Sequence, residues 1–592
     1  VKVPHRYRSR IAQEILCAAL ALGLLLPGAY AQSPAQDHTQ TRTATATHPS
    51  GDPWWRHGII YEIYPRSFQD SNGDGIGDIN GITSHLDYLQ QLGIDAIWIT
   101  PMYPSPQVDF GYDISDYEAI DPQYGTMADF DHLVAEAKKH NIRIIMDYVP
   151  NHTSDQHAWF KQSRSSSTNP KREWYVWHDG AAPGPGHPPN NWQSWFGHSA
   201  WQYDAATRQY YYHHFYVQQP DLNWRNPQVQ QAMLGVLKFW MDKGVSGFRI
   251  DAVSRLFEDP KLHDDPILPG TNAYGDPNIQ HKYTDNLPEV HTMLRAMRAV
   301  VDRYPGNPVL ISEADEPNIT ELTKMYGRNN DEVQLPMDFQ VADVNALSVP
   351  KFREYIEQVE SNPAHGQPHF FFGNHDQARV WDRYSEGVTD PAMKARIARM
   401  MATLLLTSRS TPQLYYGEEL GMVTTPPARK EDVKDPIGIL GWPNEKGRDG
   451  ERTPMQWTPG PNAGFTTSPT PWLPVPPNHT TLNVQQESTD PHSMLNWYKR
   501  LITLRRTNPA LYSGSMTMLD RTNNSVLSYL RQGPPGGPSV LVALNFTDQP
   551  QPLTYNFKTL STLETDDPNL APNPLPKQIT LAPYATLIAE VH

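Results

Sequence analysis

Three acidic residues each stand just beyond a short apolar run: Asp251 after Gly247-Phe-Arg-Ile, Glu313 after Val309-Leu-Ile-Ser, and Asp376 after His369-Phe-Phe-Phe-Gly-Asn-His. His152, shortly after Asp147, and His375 add imidazole groups. A single carboxylate at a strand end commonly caps the next helix. Three of them with two histidines make a convergent acidic pocket. Such a pocket could hold a divalent ion through carboxylate and imidazole ligands. It could equally cleave a glycosidic bond, one carboxylate attacking the anomeric carbon and a second protonating the leaving oxygen. Arg249 favours the second chemistry. It lies two residues before Asp251, so both side chains point to the same side of a strand. A guanidinium there keeps a nucleophilic carboxylate ionised and works against a metal at the same spot. Aromatic residues further along (Trp192, Trp195, Tyr210, Tyr211, Tyr212 and Trp224) suit sugar rings, whose C–H faces stack on aromatic faces.

The elements that must position these groups follow from the hydrophobic pattern. Short runs rich in Ile, Val and aromatics at 59–68, 94–103, 142–150, 247–253, 309–314, 333–339, 369–376 and 413–418 predict strands. Helical patterns at 127–140, 229–243, 289–304, 350–360 and 392–408 lie between them, and Met233, Val236, Leu237 and Trp240 share one face of the second. Strands alternating with helices predict an α/β fold with a parallel sheet, and eight such units fit a closed (β/α)8 TIM barrel over 53–512. No glycine-rich phosphate fingerprint follows the first run, which counts against a dinucleotide-binding sheet. Residues 151–223 break the alternation and predict an inserted, loop-rich subdomain after the third strand, on the face where barrel active sites form. Short strand patterns at 525–529, 540–545 and 585–591 predict a C-terminal all-β sandwich over 513–592.

Composition narrows the function classes. The 592 residues carry 64 acidic against 49 basic side chains, net −15, which argues against a nucleic-acid or acidic-membrane binder. One cysteine excludes a disulfide scaffold and a Cys-rich zinc site. Lys2, Arg6, Arg8 and Arg10 precede an apolar stretch at 15–26 and then Ala29-Tyr-Ala31, the pattern of a cleaved signal peptide over 1–31. The expectation is export to the periplasm or medium, without membrane insertion of the mature chain. A Ser/Thr/Pro/Gln-rich linker is expected at 32–52.

The segments Asp147-Tyr-Val-Pro-Asn-His152, Gly247-Phe-Arg-Ile-Asp-Ala-Val253, Leu-Ile-Ser-Glu313 and Phe372-Gly-Asn-His-Asp376 resemble the four ordered signature regions of the α-amylase family of glycoside hydrolases. Gln219-Pro-Asp-Leu-Asn-Trp224, and Arg452-Thr-Pro-Met-Gln-Trp457 preceded by Arg448-Asp-Gly-Glu, resemble its exo-acting α-glucosidase and oligo-1,6-glucosidase branch. The resemblance runs from about Trp54 to the end of the sequence. It implies Asp251 as nucleophile and Glu313 as general acid and then base, with a proton affinity raised by neighbouring carboxylates. It implies Asp376 as transition-state stabiliser, and His152 and His375 as hydrogen-bonding partners of the bound sugar. Arg249 would orient Asp251, Asp109 and Tyr112 would bind hydroxyls and stack, and Arg452 would close the pocket. The implied activity is hydrolysis of terminal α-linked glucose from malto-oligosaccharides or disaccharides by double displacement, without a redox cofactor. A trehalose- or isomaltulose-forming transglucosylase, or an oligo-1,6-glucosidase, is the alternative. Non-catalytic relatives that partner amino-acid transporters lack catalytic carboxylates, whereas all three are present here. Ser312-Glu-Ala-Asp315 departs from the Gly-Glu-Thr/Val-Trp/Tyr of many relatives. Ala252, where branch members with Val prefer α-1,6 bonds, implies α-1,4 or short-disaccharide preference.

The loop Asp70-Ser-Asn-Gly-Asp-Gly-Ile-Gly-Asp78 resembles the start of an EF-hand, although Gly81 stands where the bidentate Glu belongs. One reading is a turn that caps the next helix. The branch resemblance implies instead a structural Ca2+ (or Mg2+) bound by Asp70, Asn72, Asp74, the Ile76 carbonyl and Asp78, with no catalytic role. Glu418-Glu419 at the eighth strand end is expected to be structural.

Overall fold

Eight short strands pair in parallel and close into a ring: β1 (Ile60–Ile63), β2 (Ala96–Ile99), β3 (Arg143–Tyr148), β4 (Gly247–Ile250), β5 (Val309–Ser312), β6 (Leu335–Pro336), β7 (His369–Phe371) and β8 (Thr411–Tyr415). Neighbours follow chain order; β8 lies beside β1, and a Met337–His369 bridge joins the β6 edge to β7. The computed structural model describes residues 51–361, 366–571 and 573–592. The expected signal peptide and linker residues 32–50 lie outside the described residues. Helices α1 (Leu86–Leu92), α2 (Met127–Lys139), α3 (Pro227–Asp242), α4 (Glu289–Val301), α5 (Ile319–Lys324), α6 (Val349–Glu360), α7 (Pro391–Thr407) and α8 (Met494–Thr507) each come between one strand and the next or after the last. This is the (β/α)8 barrel that the alternating pattern predicts. Among the described residues no helix is long and apolar enough to cross a membrane.

Local chemistry sets the helix ends. Thr126 and Asp129 form a reciprocal capping box on α2. Asn226 and Asp390 cap α3 and α7, each followed by a proline at the first helical position, where a missing N–H costs nothing. The predicted stripe on α3 (Met233, Val236, Leu237, Trp240) is buried against the barrel. Strand residues alternate between two apolar layers. Ile60, Trp98, Ile145, Ile311 and Phe371 fill the barrel interior, while Ile97, Ile144, Phe248 and Leu310 pack under the helices.

Two excursions build the C-terminal face. The insertion after β3 contains a helix (Ala158–Ser165) and a three-stranded antiparallel sheet of Trp177–His178, Trp201–Asp204 and Gln209–Tyr212. Strands this short leave no readable alternation, so the sequence shows only a loop-rich stretch. Beyond β4 lies a second excursion, a hairpin of Ile267–Thr271 and Pro277–Ile279 that the sequence does not announce. Insertion residues sew onto it: Trp192 Nε1 donates to the His263 carbonyl at 2.9 Å and the His198 N–H to Asp276 at 2.8 Å.

The C-terminal strands β9 (Ser515–Met518), β10 (Val526–Gln532), β11 (Ser539–Asn545), β12 (Gln551–Thr554), β13 (Leu560–Thr565), β14 (Gln578–Leu581) and β15 (Thr586–Val591) are all antiparallel. A five-stranded sheet, β9-β10-β11-β15-β13, faces the β12–β14 pair across a core of Val526, Leu541, Leu553, Ile579 and Leu587. Its other face (Leu527, Tyr529, Val542) joins the barrel core. Buried Arg531 ties the two by donating to the Thr407 carbonyl at the end of α7.

Candidate active site

The inner-facing rows of the strands turn polar at their C-terminal ends. Ile60 is followed by Glu62, Ile145 by Asp147, Arg249 by Asp251 and Ile311 by Glu313, so a period of two gathers them at the barrel mouth. Gly247 makes the β4–β5 contact possible: at φ +148° an added Cβ would lie 2.1 Å from the Val309 carbonyl oxygen. That close register places Arg249 opposite Ile311, one step from Glu313.

Arg249 is the hub. Its Nη1 donates to Asp147 at 3.1 Å and to Asp251 at 2.5 Å, and its Nη2 lies 2.8 Å from Glu313 Oε2. The guanidinium sits 4.9 Å from the centroid of the Trp98 ring, whose Nε1 donates to Asp147 at 3.2 Å. Tyr112 donates its hydroxyl to Asp147 at 3.1 Å and stacks on His375 at 5.4 Å. His375 Nδ1 is 2.6 Å from Glu62 Oε1. His152 places its ring nitrogens 2.9 Å from Asn151 Oδ1 and 3.1 Å from the Tyr112 carbonyl. Burial lowers His152 to about 4 and His375 to about 3, so both rings are neutral near pH 7.

Ala252, directly after Asp251, adopts a left-handed conformation (φ 45°, ψ 36°), which is strained for a residue with a Cβ. The strain has a visible product: the turned N–H of Ala252 donates to Glu313 Oε2 at 3.2 Å. Arg249 holds both Asp251 and Glu313, at 2.5 and 2.8 Å, and so gathers the two carboxyl groups at one guanidinium.

A second cluster forms the opposite wall. Asp109 and Asp376 are bridged by Arg448, which donates to them at 2.9 and 2.8 Å. Buried Asp435 locks that guanidinium through Nε at 2.9 Å and Nη2 at 3.0 Å, and Gln219 holds the other Asp109 oxygen at 3.2 Å. Arg452, expected to close the pocket, is buried behind Asp376, donating to it at 2.9 Å and to the His375 carbonyl at 2.8 Å. The guanidinium that spans the pocket belongs to Arg448. Its motif is plain in the sequence, yet neither spacing nor pattern connects it with Asp435, and both are absent from the expected site residues.

The three central carboxylates differ electrostatically. Burial pushes Asp251 up to about 6 against the pull of Arg249. Burial pushes Glu313 further, to about 7, with the charges of Asp251 and Asp376 adding to it. Desolvation, more than the neighbouring carboxylates, is therefore the larger cause. Burial would raise Asp376 too, but His375, Arg448 and Arg452 hold it well below the usual carboxylate range. With His375 neutral at pH 7, Arg448 and Arg452, with Arg249 adding to them, carry that effect. This order leaves a carboxylate at Asp251 and a proton at Glu313. The expected pH profile of kcat/KM is a narrow bell: activity falls as pH drops through about 6, when Asp251 protonates, and as pH rises through about 7, when Glu313 loses its proton. A plateau from pH 5 to 9 would refute the assignment.

The Asp70–Asp78 loop is folded around its own side chains. Asp70 accepts the N–H groups of Asn72, Gly73 and Gly75 at 3.0, 2.7 and 2.8 Å, and the Thr466 hydroxyl also donates to it. Asp78 caps the helix Ile79–Ser84 through the Gly81 N–H at 2.7 Å, and Asp74 accepts the Ile76 N–H at 2.8 Å. Among the described residues no three His, Cys, Asp or Glu side chains gather into a ready metal site. Glu418 and Glu419 are structural: Tyr498 donates to the first at 2.9 Å, and Tyr61 and Tyr88 to the second at 2.8 and 2.5 Å.

Comparison with known proteins agrees with this geometry. The family model for the α-amylase catalytic domain matches residues 62–514. A probable α-glucosidase of Rhizobium meliloti (strain 1021) is 42% identical over 533 residues, covering 88% of this chain and 94% of the relative. An oligo-1,6-glucosidase of Parageobacillus thermoglucosidasius is 35% identical, covering 91% of this chain and 99% of its own. The crystal structure of the trehalulose synthase MutB from Pseudomonas mesoacidophila MX-45 superposes with a TM-score of 0.83 at 38% identity, covering 92% of this chain and 100% of that one. With a barrel of this topology, its carboxylates gathered at the strand ends and relatives of this extent, the chain belongs to the α-amylase family of glycoside hydrolases.

Proposed function

We propose that the protein is an exo-acting, retaining α-glucosidase that releases terminal α-linked glucose. The observation that carries this reading is the Asp109–Arg448–Asp376 bridge, locked by Asp435 and facing the Asp251–Glu313 pair. A wall of fixed charged groups on the glucose side fits the hydroxyls of a terminal, non-reducing glucose. Asp251 Oδ attacks the anomeric carbon while Glu313 gives its proton to the leaving oxygen. Arg249 holds Asp251 ionised and aimed. Asp376, fixed by two arginines, faces the positive charge that develops on the ring. Glu313, now a carboxylate, then takes a proton from the incoming water, whose oxygen bonds to the anomeric carbon as the bond to Asp251 breaks and its electron pair restores that carboxylate. Ala252 supports α-1,4 preference.

The test is time-resolved NMR with maltose, isomaltose, trehalose and sucrose. The expected result is α-glucose from maltose in excess of the anomeric mixture that the departing reducing-end glucose brings; β-glucose in excess of that mixture, or no turnover, would overturn the reading. Likeness to a trehalulose synthase at 38% identity favours a second reading, glucosyl transfer within sucrose. New disaccharides in place of free glucose would establish it.

Two further readings complete the proposal. The Asp70–Asp78 loop already folds around its own carboxylates, and Asp70, Asn72, Asp74, the Ile76 carbonyl and Asp78 would together supply an all-oxygen set suited to a hard cation such as Ca2+ once drawn around it. Its side chains hold the loop, and none reaches the reacting groups. Chelation is therefore expected to lower the melting temperature by several degrees while leaving kcat intact below the transition; an unchanged melting temperature would refute the site. Residues 1–31 direct export, so the protein recovered outside the cytoplasm should begin at Gln32.

A further inference from the structure

The aromatic residues that the sequence offers to sugar rings part company in the structure. Trp192, Tyr210, Tyr211, Tyr212 and Trp224 are between 1% and 3% exposed; the first, second and fourth form the insertion's own core and the other two join the barrel core, so none can stack on a substrate. Trp195 is the exception at 40% exposed. Its backbone is fixed, the N–H donating to the His214 carbonyl at 2.8 Å. One face of the indole is covered by Arg255, whose guanidinium carbon lies 4.6 Å from the ring centroid. His214 and His281 line the ring at 6.5 and 6.2 Å.

Arg255 tells which part of the pocket this is. It is buried, four residues beyond the nucleophile, 4.0 Å from Asp285 and within the field of Asp315, Glu313 and Asp251. A leaving group must sit where Glu313 can reach its oxygen, and Arg255 with Trp195 marks that side.

We propose that Trp195, held by Arg255, is the stacking platform for the sugar that departs in the first step and for sugar acceptors in the second. This rests on the α-glucosidase reading and adds a determinant of transfer against hydrolysis. In transfer, an acceptor hydroxyl oxygen bonds to the anomeric carbon and its proton passes to the Glu313 carboxylate. The carbon–oxygen bond to Asp251 breaks, and its electron pair restores the Asp251 carboxylate. The indole adds no group to this chemistry. It holds a pyranose ring in place against competition from water.

The experiment compares the full chain with Trp195→Ala and Trp195→Phe on maltose and on α-glucosyl fluoride, whose leaving group has no ring to stack. Trp195→Ala is expected to lose about tenfold more kcat/KM on maltose than on the fluoride, the factor that ~1.4 kcal/mol commands. Its ratio of transfer to hydrolysis at high glucose concentration should fall in parallel, and Trp195→Phe should recover most of both. Equal losses on the two substrates would mark Trp195 as structural and overturn the inference, as would no change on either. A wild-type protein inert to both would overturn the α-glucosidase reading itself and this inference with it.

Discussion

Glu313→Gln is expected to lower kcat/KM on maltose by about 10³-fold while sparing the first step on α-glucosyl fluoride. The amide keeps the shape of the acid and can still accept from Arg249 and from the Ala252 N–H, contacts that Glu313 makes at 2.8 and 3.2 Å. What it lacks is the proton that a sugar alkoxide needs on leaving and fluoride does not. The glucosyl-enzyme then waits for a base that is missing, and azide, which needs none, should turn it over. Because that route inverts the anomeric carbon twice, the product is α-glucosyl azide. Asp251→Ala removes the first inversion, so azide acting on α-glucosyl fluoride in that variant should yield the β-azide. The two product configurations assign the roles independently of rate. Identical configurations from both variants, or equal losses of Glu313→Gln on both substrates, would refute the assignment.

Much of this site is legible in the sequence because a barrel converts strand ends into one surface. Asp251, Glu313 and Asp376 are far apart in sequence, yet each follows an apolar run, and alternation along a strand carries Arg249 and Asp251 to the same side. The long-range closure of the pocket is less legible. Arg448 draws its anchor, Asp435, from 13 residues upstream, and bridges Asp109 and Asp376 from 339 and 72 residues away. No periodicity encodes such pairings. The insertion aromatics show the opposite failure: their type suggests sugar binding, but type alone does not separate Trp192, buried in a small sheet, from Trp195 at the surface. The hairpin after β4 is invisible for a third reason. Its strand Ile267–Thr271 is exposed throughout and includes Pro269 and Gly270, so it carries no alternation to detect.

Arg249→Met is expected to remove nearly all activity and to destabilise the fold by about 3–5 kcal/mol near neutral pH. Methionine fills most of the volume over Trp98, so the missing quantity is charge. Arg249 is 1% exposed and, among the described residues, is the one cation within hydrogen-bonding distance of Asp147, Asp251 and Glu313 alike. Burial already pushes these groups to about 6, 6 and 7, and without the guanidinium they rise further. The sign of the pH dependence follows. An acid whose folded-state affinity for a proton exceeds its unfolded one weakens the fold as pH climbs from about 4 through the folded value, because ionisation then favours the unfolded chain. The melting temperatures of Arg249→Met and wild type should therefore be close at pH 5 and far apart at pH 8. Residual activity should move to higher pH, since Asp251 ionises later. Arg249→Lys should fall between the two, because one ammonium cannot reproduce a planar fork shared among three carboxylates. If thermal unfolding shows the same gap at both pH values, Arg249 acts through its packing on Trp98, and the electrostatic account of the nucleophile falls with it.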